Sequence, residues 1–279
     1  DLVKDVMKGA LNKNEKIYIE QFGKGNTLRE LRGFKPSIKN TIAGLCINKM
    51  INGMSVYIDK GELETIKDLR EYCFFVAGTV GDALNRIIQI EEGETLNFNN
   101  ARSVGAYVQL TNILKNFRED FGLRDYRVKF IPNEVHEGIS YEDLFEKNTK
   151  QAISIREKVL ESILPVAEEY FQPAAQYVID IPRKFSGYLA FCSTALLLSR
   201  ETQKLIKNSG AERVFKGEER AIKVSKPTVY NVVSFVCRGV QTDEGIKFIN
   251  FLNDYRKNPG LFPFDPQEEH EKWSKDYFS

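Results

Sequence analysis

A chain of 279 residues is long enough for one large hydrophobic core or two modest domains. Its 40 lysines and arginines against 39 aspartates and glutamates leave a formal net charge of +1. That balance argues against a dedicated nucleic-acid binder, whose affinity rests on clustered cations, so any anionic substrate must be met locally, through metal ions or a few side chains.

The four cysteines, Cys46, Cys73, Cys192 and Cys237, lie far apart in apolar stretches and read as buried thiols of a reducing compartment. Only His136 and His270 are present, both in polar surroundings and expected to be solvated. A histidine-based zinc site or a Ser-His-Asp triad is therefore poorly supported. No signal peptide is visible and no apolar run approaches the ~20 residues of a membrane helix, which points to the cytoplasm.

In chain order, the first feature is DLVKD, which puts Asp1 and Asp5 at i, i+4 on one helix face. Alone this is a weak motif, ordinarily a solvated face. The chain opens inside this helix with no Met, so helices that precede it are expected to be missing. Helical periodicity then recurs around 35–58, 62–91, 98–121, 141–181, 184–207 and 227–256. Gly and Pro punctuate the joints at Pro36, Gly93, Pro132, Pro182, Gly210, Pro227 and Pro259. Period-2 alternation is nearly confined to Val128–Ile131, so strands are not expected to matter. Residues 1–279 read as one all-α domain, with 259–279 a polar C-terminal tail.

Three helices carry most of the information. Within Glu71–Ile88, the small residues Ala77, Gly78, Gly81 and Ala83 would let a neighbouring helix or an apolar ligand approach the backbone. Glycine costs about 1 kcal/mol against alanine inside a helix, so such positions need a reason. Within Tyr188–Thr202, apolar character runs almost all round, as in a buried wall. Within Ala101–Asp120, the residues Gln109, Asn112, Asn116, Glu119 and Asp120 share an arc of about 100°. Most of the remaining circumference is apolar, interrupted by Lys115 and Arg118 near the end. The polar arc is either a solvated edge or the lining of an interior cavity. If interior, an oxygen-only donor set of carboxylates and amides suits Mg²⁺.

These segments resemble those of the squalene and phytoene synthases. YCFFVAGTVG (Tyr72–Gly81) is similar to their YCxxVAGxVG segment, VQLTNILKNFRED (Val108–Asp120) to LQLTNILRDxxED, and FIPNEV (Phe130–Val135) to the loop that follows. FCSTALLLSRET (Phe191–Thr202) resembles the FCxxPxxxAxxT helix, and DLVKD falls where the first aspartate-rich motif belongs. The matches keep the family's order from Asp1 to about Ile222. The resemblance implies an isoprenoid-synthase helical bundle around a central apolar cavity, and head-to-head condensation of two farnesyl diphosphates through presqualene diphosphate to squalene. It implies Mg²⁺ held by Asp1, Asp5, Asn116, Glu119 and Asp120, with catalytic roles for Tyr72 in the first half-reaction and for Phe191 in stabilising later carbocations. Along the substrate it places Val76, Gly78, Gln109, Asn112, Lys115, Arg127 and Lys129.

The sequence also departs from the pattern. Asn116 stands where the second motif has Asp, Lys4 where the first usually has an acid, and Ala195 where a Pro is usual. The Gly-Arg element before the loop proline is missing, leaving Arg127 and Lys129 to flank Val128. MINGM (Met50–Met54) and VFKGEERAIKVSK (Val214–Lys226) look closer to squalene than to phytoene synthases, which implies NADPH as reductant. With no GxGxxG signature, NADPH would have to bind by local contacts, for which Lys216, Arg220, Lys223 and Lys226 are the candidates. Phytoene or dehydrosqualene formation, or a non-catalytic prenyl-diphosphate binder, are the competing readings. A peripheral membrane contact is expected from a hydrocarbon product.

Overall fold

The computed structural model describes residues 38–122, 129–216, 222–241 and 245–257. Among them every regular element is helical, and the one sheet-like contact is an isolated parallel bridge between Glu62 and Lys129. In chain order the helices are α1 (Ile38–Lys60), α2 (Ile66–Cys73), a π turn (Phe74–Gly78), α3 (Thr79–Glu92) and α4 (Phe98–Gly122). There follow α5 (Asn133–His136), α6 (Tyr141–Glu146), α7 (Lys150–Asp180), a 3₁₀ turn (Arg183–Phe185), α8 (Ser186–Lys216), α9 (Lys226–Gln241) and α10 (Gly245–Lys257).

Local chemistry sets the boundaries. Thr65 and Asp68 form a capping box at the start of α2, each side chain taking a backbone N–H of the other. Ser140 and Thr149 cap α6 and α7 in the same manner from one side. Gly93 ends α3 in the left-handed region, at φ 69°. Gly210, at φ 72° and ψ 171°, kinks α8, so it marks a joint as the sequence suggests. Pro132 and Pro182 sit before helical turns, whereas Pro165 and Pro173 lie inside α7.

The expected 141–181 helix is two helices, because Lys147 leaves helical geometry at the end of α6 and Thr149 restarts it. Two side-chain readings are also corrected. His136 is buried at 7% exposure, its Nε2 bonded to the Asn133 amide oxygen at 2.8 Å, because short α5 folds it under Tyr141. Cys237 is exposed on α9, although Cys73 and Cys192 are buried as expected.

α4 is the central helix. It packs against α7 and α8 on its apolar side, and against the π turn and α3 near its N-terminal half. The second contact is made by backbone. A Cβ on Gly81 would stand 2.3 Å from the Ala101 carbonyl oxygen, and one on Gly105 would stand 2.2 Å from the Ala77 oxygen. The small residues of Glu71–Ile88 therefore admit a neighbouring helix. Two apolar cores flank this crossing. One gathers α2, the C-terminal half of α4 and the first half of α7; the other gathers the N-terminal part of α4, the rest of α7, α8, α9 and α10.

Candidate functional site

The polar arc of α4 is its less buried face. Leu110, Ile113 and Leu114 are at most 1% exposed, while Gln109, Asn112, Asn116 and Asp120 are half-buried and Glu119 is exposed. The arrangement follows from helical phase: packing against α7 and α8 consumes the apolar side and leaves the amides and carboxylates on the opposite one. Asn116 donates from its amide nitrogen to the Asn112 amide oxygen at 3.4 Å, which leaves its own oxygen outside that bond.

Tyr72 sits one residue before the end of α2, where the helix widens into the π turn. It is 7% exposed, with the Phe130 ring 4.9 Å away and the Tyr57 ring 5.6 Å away and perpendicular. Burial pushes its phenol up to about 12, and the neighbouring Cys73 thiol and Asp120 carboxylate push in the same direction. Tyr72 is therefore neutral near pH 7, a proton holder beside the acidic end of α4. Val76 and Gly78 lie in the π turn itself, Val76 half-buried against the first core and Gly78 buried. Single π turns recur at functional positions in helices.

The other expected site residues are placed as follows. Phe191 lies on α8 at 59% exposure and belongs to neither core. Lys115 is half-buried, and its carbonyl accepts the Ile222 N–H at 3.1 Å, which ties the backbone at Ile222 to the C-terminal half of α4. Lys129 carries its charge to Glu62 at 3.2 Å, with its Nζ over the Tyr141 ring at 5.4 Å. The Tyr141 hydroxyl donates to the Ile131 carbonyl at 2.9 Å and accepts its N–H at 2.6 Å, fixing the loop that holds Phe130 against Tyr72. Of the reductant candidates, Lys216 donates to the Glu146 carbonyl at 2.9 Å and to Asn148 at 2.5 Å, whereas Lys223 and Lys226 are exposed. Asp1, Asp5, Arg127 and Arg220 lie outside the described residues.

Among the described residues no three His, Cys, Asp or Glu side chains come together as a metal cluster. Asn116, Glu119 and Asp120 fit a hard divalent cation in kind, since all three offer oxygen, but as a single-helix set they make only part of a shell. No helix of the described residues is long and apolar enough to cross a membrane. Sequence reasoning missed Tyr57, Phe130 as a ring against Tyr72, and the π turn. Phe130 stood in a quoted segment; nothing in the sequence couples Tyr57 to Tyr72.

Fold and site together define an all-helical protein whose central helix carries an acidic, amide-bearing face beside a buried tyrosine. The sequence pattern of the squalene/phytoene synthase family matches residues 23–228, and the chain belongs to that family. The chain is 28% identical over 242 residues to squalene synthase of Eremothecium gossypii, covering 82% of this chain and 51% of that protein. It is 28% identical over 211 residues to squalene synthase 10 of Panax ginseng, covering 74% and 48%, and 26% identical over 213 residues to squalene synthase 1 of Arabidopsis thaliana, covering 74% and 48%. The chain thus spans about half the length of the curated relatives it matches. The solved complex of TcSQS with the ligand BPH1237 superposes with a TM-score of 0.64 at 18% identity, covering 81% of this chain and 63% of that one. Its complex with E5700 gives 0.60 at 16%. These likenesses establish the isoprenoid-synthase helical fold.

Proposed function

We propose that this chain is the catalytic part of a prenyltransferase that joins two farnesyl diphosphates head to head, through presqualene diphosphate, to squalene. The observation that carries the reading is the burial of Tyr72 in the first core against α4, the helix whose C-terminal end carries Glu119 and Asp120. Family membership supports the reaction class, and the names of the relatives support squalene over phytoene.

In this reading Asn116, Glu119 and Asp120 would hold Mg²⁺ from α4, and Asp1 and Asp5, outside the described residues, are the further candidate ligands. Bound Mg²⁺ supplies charge neutralisation of a diphosphate leaving group. The protein's own groups do the rest. Gln109, Asn112 and Lys115 orient the head group along the half-buried face of α4, and Val76 and Gly78 give the prenyl chain an apolar, close-approach surface. Tyr72 keeps its proton and offers an O–H to the departing diphosphate oxygen, which a dry setting strengthens. Phe191 presents a π face to the later carbocation. Lys129, and Arg127 outside the described residues, are the candidate cations for the head group; NADPH would supply hydride, and Lys223 and Lys226, both exposed, are the described residues that would hold it. A hydrocarbon product favours work in the cytoplasm against a membrane surface.

The test is product analysis of the purified full-length protein with farnesyl diphosphate and Mg²⁺, with and without NADPH. Squalene only when NADPH is present is the expected result. Dehydrosqualene or phytoene without NADPH would transfer the reading to the other branch of the family. A folded protein that binds farnesyl diphosphate and releases no diphosphate would leave a binding-only homologue.

A further inference from the structure

We infer that Tyr57 and Glu71 are a positioning pair for Tyr72, an inference that rests on the role proposed for Tyr72. The residue stands just before the π turn, where the regular α-helical bonding pattern is interrupted. Its orientation must come from what packs against it. Phe130 supplies one contact, at 4.9 Å and 45°. Tyr57, on the last turns of α1 and 2% exposed, supplies the other, at 5.6 Å and 90°.

The Tyr57 ring is itself fixed in rotation, because its hydroxyl donates to Glu71 Oε2 at 3.0 Å. Glu71 precedes Tyr72 in the chain, and its Oε1 reaches Lys67 one turn back at 3.9 Å. The circuit is closed: the Tyr57 hydroxyl bonds the residue before Tyr72, and the Tyr57 ring meets the ring of Tyr72. Lys60 adds a second tie between the same helices, with its Nζ 5.6 Å from the Tyr57 ring centroid and 3.3 Å from Asp68. For core filling alone a phenylalanine would serve, since a buried phenol needs a partner that phenylalanine does not. Pairing that phenol with a carboxylate on the residue adjoining Tyr72 is what a device for orientation requires.

The experiment is single-turnover release of diphosphate from farnesyl diphosphate with Mg²⁺ and no NADPH, in full-length protein carrying Tyr57→Leu, Tyr72→Phe or both. Tyr57→Leu is expected to slow the step about tenfold with KM within about twofold, as misorientation of a reacting group does. Tyr72→Phe carries no hydroxyl to orient, so adding Tyr57→Leu to it should slow nothing further. Glu71→Gln keeps an acceptor oxygen and should restore a rate that Glu71→Leu lowers. Tyr57→Phe, which fills the same space, carries the test if the leucine variant fails to fold, with a loss of about threefold expected from the freed ring. A Tyr57 variant at the wild-type rate, or one whose loss multiplies with that of Tyr72→Phe, overturns the positioning role and leaves Tyr72 standing. A wild-type rate for Tyr72→Phe overturns both.

Discussion

Replacing Gly105 with alanine should destabilise the protein by about 2 kcal/mol. An added Cβ would meet the Ala77 carbonyl oxygen at 2.2 Å, the Ala77 carbonyl carbon at 2.4 Å and the Gly78 nitrogen at 2.8 Å. Non-bonded carbon contacts settle near ~3.5–4 Å, so α4 and the π turn must part by more than about 1 Å. Overpacking of this kind costs about 1–3 kcal/mol, and the upper end applies because the obstacle is backbone that cannot swing aside. The better helix propensity of alanine returns about 1 kcal/mol. Urea unfolding of the variant beside the parent measures the difference, and the melting temperature should fall by about 4–8 °C. Gly187→Ala is the control: it meets no atom within 4 Å and should be neutral or slightly stabilising. A Gly105→Ala protein as stable as the parent would refute the backbone crossing.

Arg156 is fully buried and donates to the Leu144 carbonyl at 2.6 Å, to the Lys147 carbonyl and to Glu212 Oε1 at 2.6 Å. Arg156→Met orphans both carbonyls and should cost about 3 kcal/mol in thermal or urea unfolding, while a loss under about 1 kcal/mol would show that water replaces the guanidinium. Burial holds the His136 imidazole below its ordinary 6.5, so the unfolded chain binds a proton that the folded one resists. Its contribution is complete above about 6.5 and is lost as pH falls below that, so stability of His136→Asn should decline less between about pH 7 and 5 than that of the parent. Parallel curves would reject the claim. Asp120→Ala should leave less than about a tenth of the turnover, a loss beyond about 1.4 kcal/mol in the barrier. Asn116→Asp should lower the Mg²⁺ concentration for half-maximal turnover, and an unchanged value would remove Asn116 from the metal set.

Much of the scaffold was legible because it rests on periodicity. The polar arc of Ala101–Asp120 could be phased from sequence, and the helix does bury the opposite side. The small residues of Glu71–Ile88 announced a close approach, although whether helix or ligand used it depended on Ala101 and Gly105, far along the chain. The π turn was not legible, since one wide turn leaves no composition signal and shifts the phase of every residue after it. Arg156 could have been found: it falls on the apolar stripe of Ala152, Ile155, Val159 and Leu160, where a charge needs buried partners. His136 was misjudged because polar neighbours in sequence do not imply solvent: one of them, Asn133, satisfies its Nε2 through the amide oxygen while Tyr141 covers its ring.

The bond from Ile222 to the Lys115 carbonyl has a consequence for synthesis. The π turn and α3 leave the ribosome before α4, but α7, α8 and Ile222 come after it. At about 5–20 residues per second, the Lys115 carbonyl waits roughly 5–20 s for Ile222 to be made. Until α7 and α8 emerge, Leu110, Ile113 and Leu114 lack the helices that bury them in the folded protein, while the acidic face is already complete. The nascent chain therefore offers chaperones a greasy helix with a charged back, a vulnerability that ends once α7 and α8 have emerged to cover it.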